Sequence, residues 1–162
     1  MAVKTKVVLR PATAEDLLFI NGIVEAAVMS WALPERVKRL SMPSYRYEKS
    51  VFESVDMQLA IDPDGDIVGL VASCAPMEEQ VLPDRKALLL HGIFVDATNH
   101  REGIGTELVK SVQALAAQNE YEGVLVNAQP DALAFFQALG FEQLPVVDEE
   151  NDYKHRYWQA IS

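Results

Sequence analysis

The chain has 162 residues, a length that suits one domain, and its 49% apolar content is enough to bury a core. A formal net charge of −10 argues against nucleic acid as the main partner, because a phosphate backbone is met by a basic surface. No stretch reaches the roughly 18 uninterrupted apolar residues of a membrane span. The start, Met1-Ala2-Val3-Lys4-Thr5-Lys6, lacks a signal peptide's long apolar run, and the one cysteine, Cys74, has no internal disulfide partner. These features predict a single cytoplasmic domain over residues 1–162 that needs no membrane and no metal.

In chain order, Lys6 to Arg10 predicts a short strand, punctuated by Pro11. Thr13-Ala14-Glu15-Asp16 resembles a capping box, and Leu17, Ile20, Val24 and Ala27 behind it share one helical face. A second helical segment is expected between Pro34 and Phe52, broken near Pro43. Met57 to Ile61 and Ile67 to Ala75 form a hairpin across Asp62-Pro63-Asp64-Gly65-Asp66, where Pro fixes φ and Gly supplies a positive φ. Met77 to Lys86 is a polar loop. Ala87 to Val95 is an almost continuous apolar run, as expected of a strand buried on both faces.

A helix follows, marked by Ile104, Leu108, Val112 and Leu115 and running to about Asn119. Gly123 to Asn127 predicts another buried strand. Asp131 to Leu139 predicts a helix stopped by Gly140, and Phe141 to Val147 and Tyr153 to Ile161 predict closing strands. The order β-α-α-β-β-β-α-β-α-β-β describes a mixed α/β sheet with helices on its faces.

The most informative stretch is Val95-Asp96-Ala97-Thr98-Asn99-His100-Arg101-Glu102-Gly103-Ile104-Gly105-Thr106. A strand ends, a polar loop follows, and a helix opens at two glycines. Helix N-termini carry unpaired N–H groups and partial positive charge, and glycine lets a phosphate approach the backbone. His100 and Arg101 add donors. The expected ligand is a phosphate or pyrophosphate; the plainer alternative is a helix that merely starts after a glycine turn. A P-loop would need Gly-Lys-Ser/Thr, and Gly105 is followed by Thr106. A Rossmann fingerprint would need glycine at Leu108, directly behind its strand.

Here the chain resembles the GNAT superfamily of acyl-CoA-dependent N-acyltransferases. Gly103 and Gly105 match the glycines of its Arg/Gln-x-x-Gly-x-Gly/Ala loop, with His100 at the Arg/Gln position. Gln129-Pro130-Asp131-Ala132-Leu133-Ala134-Phe135-Phe136-Gln137-Ala138-Leu139-Gly140-Phe141 resembles its Asn-x-x-Ala-x-x-Phe-Tyr-x-x-x-Gly-Phe block, with Gln129 for Asn and Phe136 for Tyr.

The resemblance implies a mostly antiparallel sheet with helices on both faces and a cleft where the fourth and fifth strands splay apart. It implies acetyl-CoA as cosubstrate, with its pyrophosphate on His100, Arg101, Glu102, Gly103, Ile104, Gly105 and Thr106. The pantetheine arm would run along Phe94 and Val95, near Gln129 and Phe136. A primary amine of a small molecule or protein would attack the thioester directly. The substitutions at His100 and Phe136 leave open a catalytically silent acyl-CoA-binding protein, and a homodimer is compatible with either reading.

His91 stands in the fourth apolar run, four residues before Val95. A protonated amine cannot attack, and histidine titrates near neutrality, so His91 is the candidate general base; a core histidine is the alternative. Met29, Trp31 and Met42 would shape an acceptor pocket or pack in the core. Cys74 reads as a buried, inert thiol. His155, on the last strand, has no evident partner. Arg36, Lys38, Arg39, Arg46 and Lys49 form a basic stretch, and Asp148 to Glu150 an acidic one, both expected at the solvated surface.

Overall fold

The computed structural model describes residues 6–77, 80–96, 103–150 and 153–161. Along them run β1 (Val8–Pro11), α1 (Leu17–Met29), α2 (Glu35–Tyr45), β2 (Asp56–Ile61), β3 (Ile67–Cys74), β4 (Ala87–Val95), α3 (Ile104–Gln118), β5 (Gly123–Asn127), α4 (Leu133–Ala138), β6 (Glu142–Gln143) and β7 (Arg156–Ala160). This is the element order expected from the sequence. The strands form one seven-stranded sheet, ordered β1-β2-β3-β4-β5-β7-β6. β1 pairs antiparallel with β2, and β7 antiparallel with both β5 and β6. β4 and β5 are parallel, which requires a crossover, and α3 supplies it.

The chain folds into two compact units, one of residues up to Ala72 with Gly92–Val109, the other of Ser73–His91 with residues from Lys110 onward. In the first, Asp16 accepts the backbone N–H of Thr13 at 2.9 Å and the Thr13 hydroxyl at 3.2 Å. This is the expected capping arrangement, set on a 3-10 turn over Ala14–Asp16 that leads into α1. Ile20, Val24 and Val28, spaced by one helical turn, are completely buried against Met42, Met57, Leu59, Leu70 and Ala72. Burying each such side chain is worth about 1.5–3 kcal/mol. Trp31 and Met29 pack on the same cluster, so these residues and Met42 serve the core.

Three local expectations in this unit are corrected. β1 starts at Val8 and includes Pro11; at the sheet edge a residue without an N–H is tolerated. α2 does not break near Pro43 but continues to Tyr45. The missing N–H falls in the last turn, at an exposed position, and the Arg46 N–H still reaches Met42 O at 3.2 Å. The helix then stops because Asn21 takes the N–H of Tyr47 on Oδ1 at 2.8 Å and donates to its carbonyl at 2.9 Å, and Lys49–Glu53 forms a separate 3-10 turn. Lys38, expected at the surface, is buried and caps α1, donating to Met29 O at 2.7 Å and Trp31 O at 3.3 Å. The hairpin turn is as expected: Gly65 has φ +88°, and Asp62 Oδ1 takes the N–H groups of Asp64 and Asp66, each at 2.9 Å.

In the second unit, Leu82, Ala87, Leu89, Leu125 and Trp158 form the core around β5. Gly123 allows β7 to approach, since a Cβ there would collide with the Gln159 carbonyl. α4 is shorter than expected, because Pro130–Ala132 makes a 3-10 turn before it; Gly140, at φ +92°, follows it. β6 has two residues rather than the Phe141–Val147 expected. Leu144 N–H still reaches Arg156 O at 2.8 Å, but Pro145 has no N–H to continue. β7 begins at Arg156, after a turn at Lys154 and His155. No helix of the described residues is long and apolar enough to cross a membrane.

Candidate functional site

α3 opens at Gly103, whose φ of +80° is natural only to glycine. Its carbonyl accepts the first helical bond, from Glu107 N–H at 3.1 Å. The N–H groups from Gly103 to Thr106 therefore precede the first i→i−4 bond and face the positive end of the helix dipole. Ile104 is 1% exposed, while Gly103, Gly105 and Thr106 are half-buried. The helix start is seated on β3: a Cβ at Gly69 would lie 3.2 Å from Ile104 Cγ2, Leu108 Cδ1 and Phe94 O alike. His100, Arg101 and Glu102, expected to flank this anion site, lie outside the described residues.

β4 carries the next group of expected residues. Its register with β5 runs from Ala87–Gly123 to Leu90–Val126, and β4 itself continues to Val95. The expectation of a strand buried throughout holds only for Ala87–Leu90. His91 is exposed, Gly92, Ile93 and Val95 are half-buried, and Phe94 is 8% exposed. The Asp96 N–H bonds Val68 O at 2.8 Å, holding the end of β4 to β3. His91 stands at the rim of the strand, where the surrounding protein strips enough water to lower its pKa below the ordinary histidine value. A neutral imidazole at pH 7 is the form that accepts a proton.

Gln129 caps the turn before α4 in extended conformation. Phe136 is 1% exposed, with Phe135 and Phe141 edge-to-face at 5.1 and 5.3 Å, and so presents almost no surface to a ligand. Cys74 is half-buried and its thiol is pushed up by burial, as an inert thiol should be. His155 packs edge-to-face on Tyr153 at 5.8 Å.

Sequence reasoning missed Asn127 and Gly69. Asn127 ends β5, one residue past the last β4–β5 pair, and its Oδ1 is buried with no hydrogen-bond partner among the described residues. Leaving a buried acceptor unmade costs about 1–3 kcal/mol, so this oxygen is suited to an N–H from a ligand. An asparagine closing the apolar run Val124-Leu125-Val126 was the available signal. Gly69 lies in an apolar strand, and only the fold reveals what it accommodates.

β4 thus runs on past its parallel register with β5, and α3 follows it, opening at the positive-φ Gly103. The chain belongs to the GNAT acetyltransferase family, whose domain matches residues 40–156. Human N-acetyltransferase 8 is 31% identical over 80 residues, 48% of this chain and 34% of the human protein, so the match spans about a third of that relative. The PaiA N-acetyltransferase of Thermoplasma acidophilum, solved with coenzyme A, superposes with TM-score 0.72 at 10% identity, over 94% of this chain and 97% of its own. A GNAT acetyltransferase of Brucella melitensis, solved with acetyl-CoA, gives 0.67 at 16% identity, over 98% and 90%. Both likenesses establish the fold.

Proposed function

We propose that this chain is an acetyl-CoA-dependent N-acetyltransferase, a single catalytic domain that moves an acetyl group to a primary amine by direct attack. The observation that carries the reading is the start of α3, a positive-φ glycine seated over Gly69, at the loop the family uses for pyrophosphate. The residues fit the cosubstrate. The N–H groups of Gly103, Ile104, Gly105 and Thr106 hold the pyrophosphate, and His100, Arg101 and Glu102, which precede them in the sequence, are its further ligands in this reading. Phe94 and Val95, at the end of β4, meet the pantetheine arm in this reading. Gln129 stands at the turn after β5. The solved relatives with bound coenzyme A or acetyl-CoA support this choice of ligand.

His91 takes the proton from the acceptor ammonium, directly or through a water, and the freed lone pair attacks the thioester carbonyl carbon. The C–N bond forms, the C–S bond breaks with its electron pair on sulfur, the nitrogen releases its second proton to water as the amide forms, and the thiolate takes a proton from solvent. The acceptor is a small-molecule or protein amine. One free cysteine fits a reducing, cytoplasmic setting. A catalytically silent acyl-CoA-binding protein is the second reading, favoured by Phe136, which has no hydroxyl and is buried.

Release of free CoA thiol from acetyl-CoA, measured across a panel of primary amines, separates the two. Amine-dependent release supports the enzyme. Saturable acetyl-CoA binding without release from any amine supports the silent protein.

A further inference from the structure

We propose that the first compact unit carries a further small-molecule site, a groove that takes a zwitterionic α-amino acid with an apolar side chain. The groove has a volume of about 480 Å³, within the roughly 300–1,000 Å³ of small-molecule sites. Ala12, Thr13 and Ala14, between β1 and α1, form one wall. Lys49, Ser50, Phe52 and Glu53, on the 3-10 turn before β2, form the other. None of these residues belongs to the strand, the helix start or the turn assigned above to acetyl transfer.

Both walls are held in place by the fold itself. The Ala12 N–H bonds Met57 O at 3.0 Å and ties the first wall to β2. Asp16, itself held by Arg10, takes both the N–H and the hydroxyl of Thr13. On the other side the Val55 N–H bonds Val51 O at 3.0 Å and leads the 3-10 turn into β2. Ala12 and Phe52 pack on the apolar cluster of Ile20, Val24 and Leu59, so the apolar part of the lining is backed by core. A groove formed in advance spends little of its binding energy on ordering.

The charges of the lining select the ligand. Lys49 and Glu53 are exposed, and neither side chain makes an ion pair or hydrogen bond among the described residues. In a 3-10 turn residues three apart eclipse, so four apart they stand about a third of a turn from each other. That spacing discourages a mutual pair and leaves both charges to a ligand. A phosphate or a fatty acid would meet Glu53 as well as Lys49, and a polyamine would meet Lys49 as well as Glu53. One carboxylate and one ammonium joined to an apolar body satisfy the whole lining: the carboxylate on Lys49, the ammonium on Glu53, the side chain against Phe52 and Ala12. Exposed charges contribute modestly, which sets the affinity on the order of 1 mM.

The test is an amide-resolved NMR titration of the full chain with L-phenylalanine, in the absence of acetyl-CoA, so that it stands or falls apart from the acetyl-transfer reading. Saturable shifts should centre on the amides of residues 12–14 and 49–53. L-phenylalaninamide, which lacks the carboxylate, and N-acetyl-L-phenylalanine, which lacks the ammonium, should each bind about two- to fivefold more weakly. Lys49→Gln should bind L-phenylalanine and its amide alike, while Glu53→Gln should bind L-phenylalanine and its N-acetyl derivative alike. Both positions are exposed, so the two variants should melt close to the parent. Shifts that centre elsewhere, or no shifts up to the solubility limit of L-phenylalanine, overturn the site. Shifts at the groove with the parental preference for the zwitterion intact in both variants overturn it as well, because the charges would then play no part.

Discussion

Gly69 leaves room for Ile104 at the base of the candidate anion site: a Cβ on the glycine would sit 3.2 Å from Ile104 Cγ2, tighter than nine in ten real contacts of that kind. The Phe94 carbonyl, equally close, is backbone and gives way least. Gly69→Val should therefore lift the first turn of α3 and cost about 1–3 kcal/mol by overpacking. Acetyl-CoA affinity should fall more than this loss explains, because the displaced turn carries the N–H groups proposed to meet the pyrophosphate. Thermal melting and an acetyl-CoA titration of the same preparation check both effects.

At Gly103, backbone and charge can be separated. With φ at +80°, Gly103→Ala pays a left-handed strain of roughly 1–2 kcal/mol and adds no charge. Gly103→Asp meets the same strain and places a carboxylate at the anion site. The alanine variant should lose some stability and keep most of its acetyl-CoA affinity, and the aspartate variant should lose most of that affinity at low salt. Equal affinity in the two would show that no anion sits there.

His91→Ala should lower turnover by about 10²–10⁴-fold with acetyl-CoA affinity nearly intact. Partial desolvation of the His91 ring, exposed as the residue is overall, lowers its pKa, so the acid limb of kcat/KM should fall below pH 6.5. The sign for stability follows. The folded state prefers the neutral ring, so the His91 contribution is complete above about pH 6.5 and is lost as pH falls toward the lower folded value. An acid limb above pH 6.5, or one that persists in His91→Ala, would assign the base elsewhere.

The Arg10–Asp16 pair predicts the acid edge of the first unit. Two guanidinium contacts of 2.9 and 3.0 Å, chiefly, hold the Asp16 carboxyl at about 2 against an ordinary 3.8. A depressed carboxylate contributes stability above its unfolded pKa and loses it as pH falls through the folded one, here between roughly 4 and 2. With Arg10 half in solvent, the contribution is discounted to about 1 kcal/mol. Asp16→Asn should remove about that much at pH 7 and flatten the melting temperature below pH 4. Asp16→Ala would also remove the acceptor that caps Thr13 and cost more.

The order of elements was legible because long apolar runs and helical periodicity dominate β4, α1, α3 and β5. Ala87–Val95 and Gly123–Asn127 fall where the apolar runs placed them. Boundaries failed where a single tertiary contact decides. Asn21 reaching Tyr47 ends α2, Lys38 reaching Met29 O buries a charge, and Pro145 limits β6. Gly103 was legible as the glycine at which α3 opens; its positive φ is a finding of the structure. Gly69 was not, because its importance lies in Ile104 and Leu108, which come from a distant part of the chain, and Asn127 was not, because the burial of its unpartnered Oδ1 is a product of the fold.

Melting of the protein across an acetyl-CoA titration tests the central claim most directly, because a ligand of the native state must stabilise it. Saturable stabilisation is the predicted result, reaching about 2.7 kcal/mol at 100 times the dissociation constant, with the Gly103→Asp curve displaced to much higher concentration. A melting temperature that acetyl-CoA leaves unmoved at millimolar concentration, in a preparation shown to be folded, would contradict it.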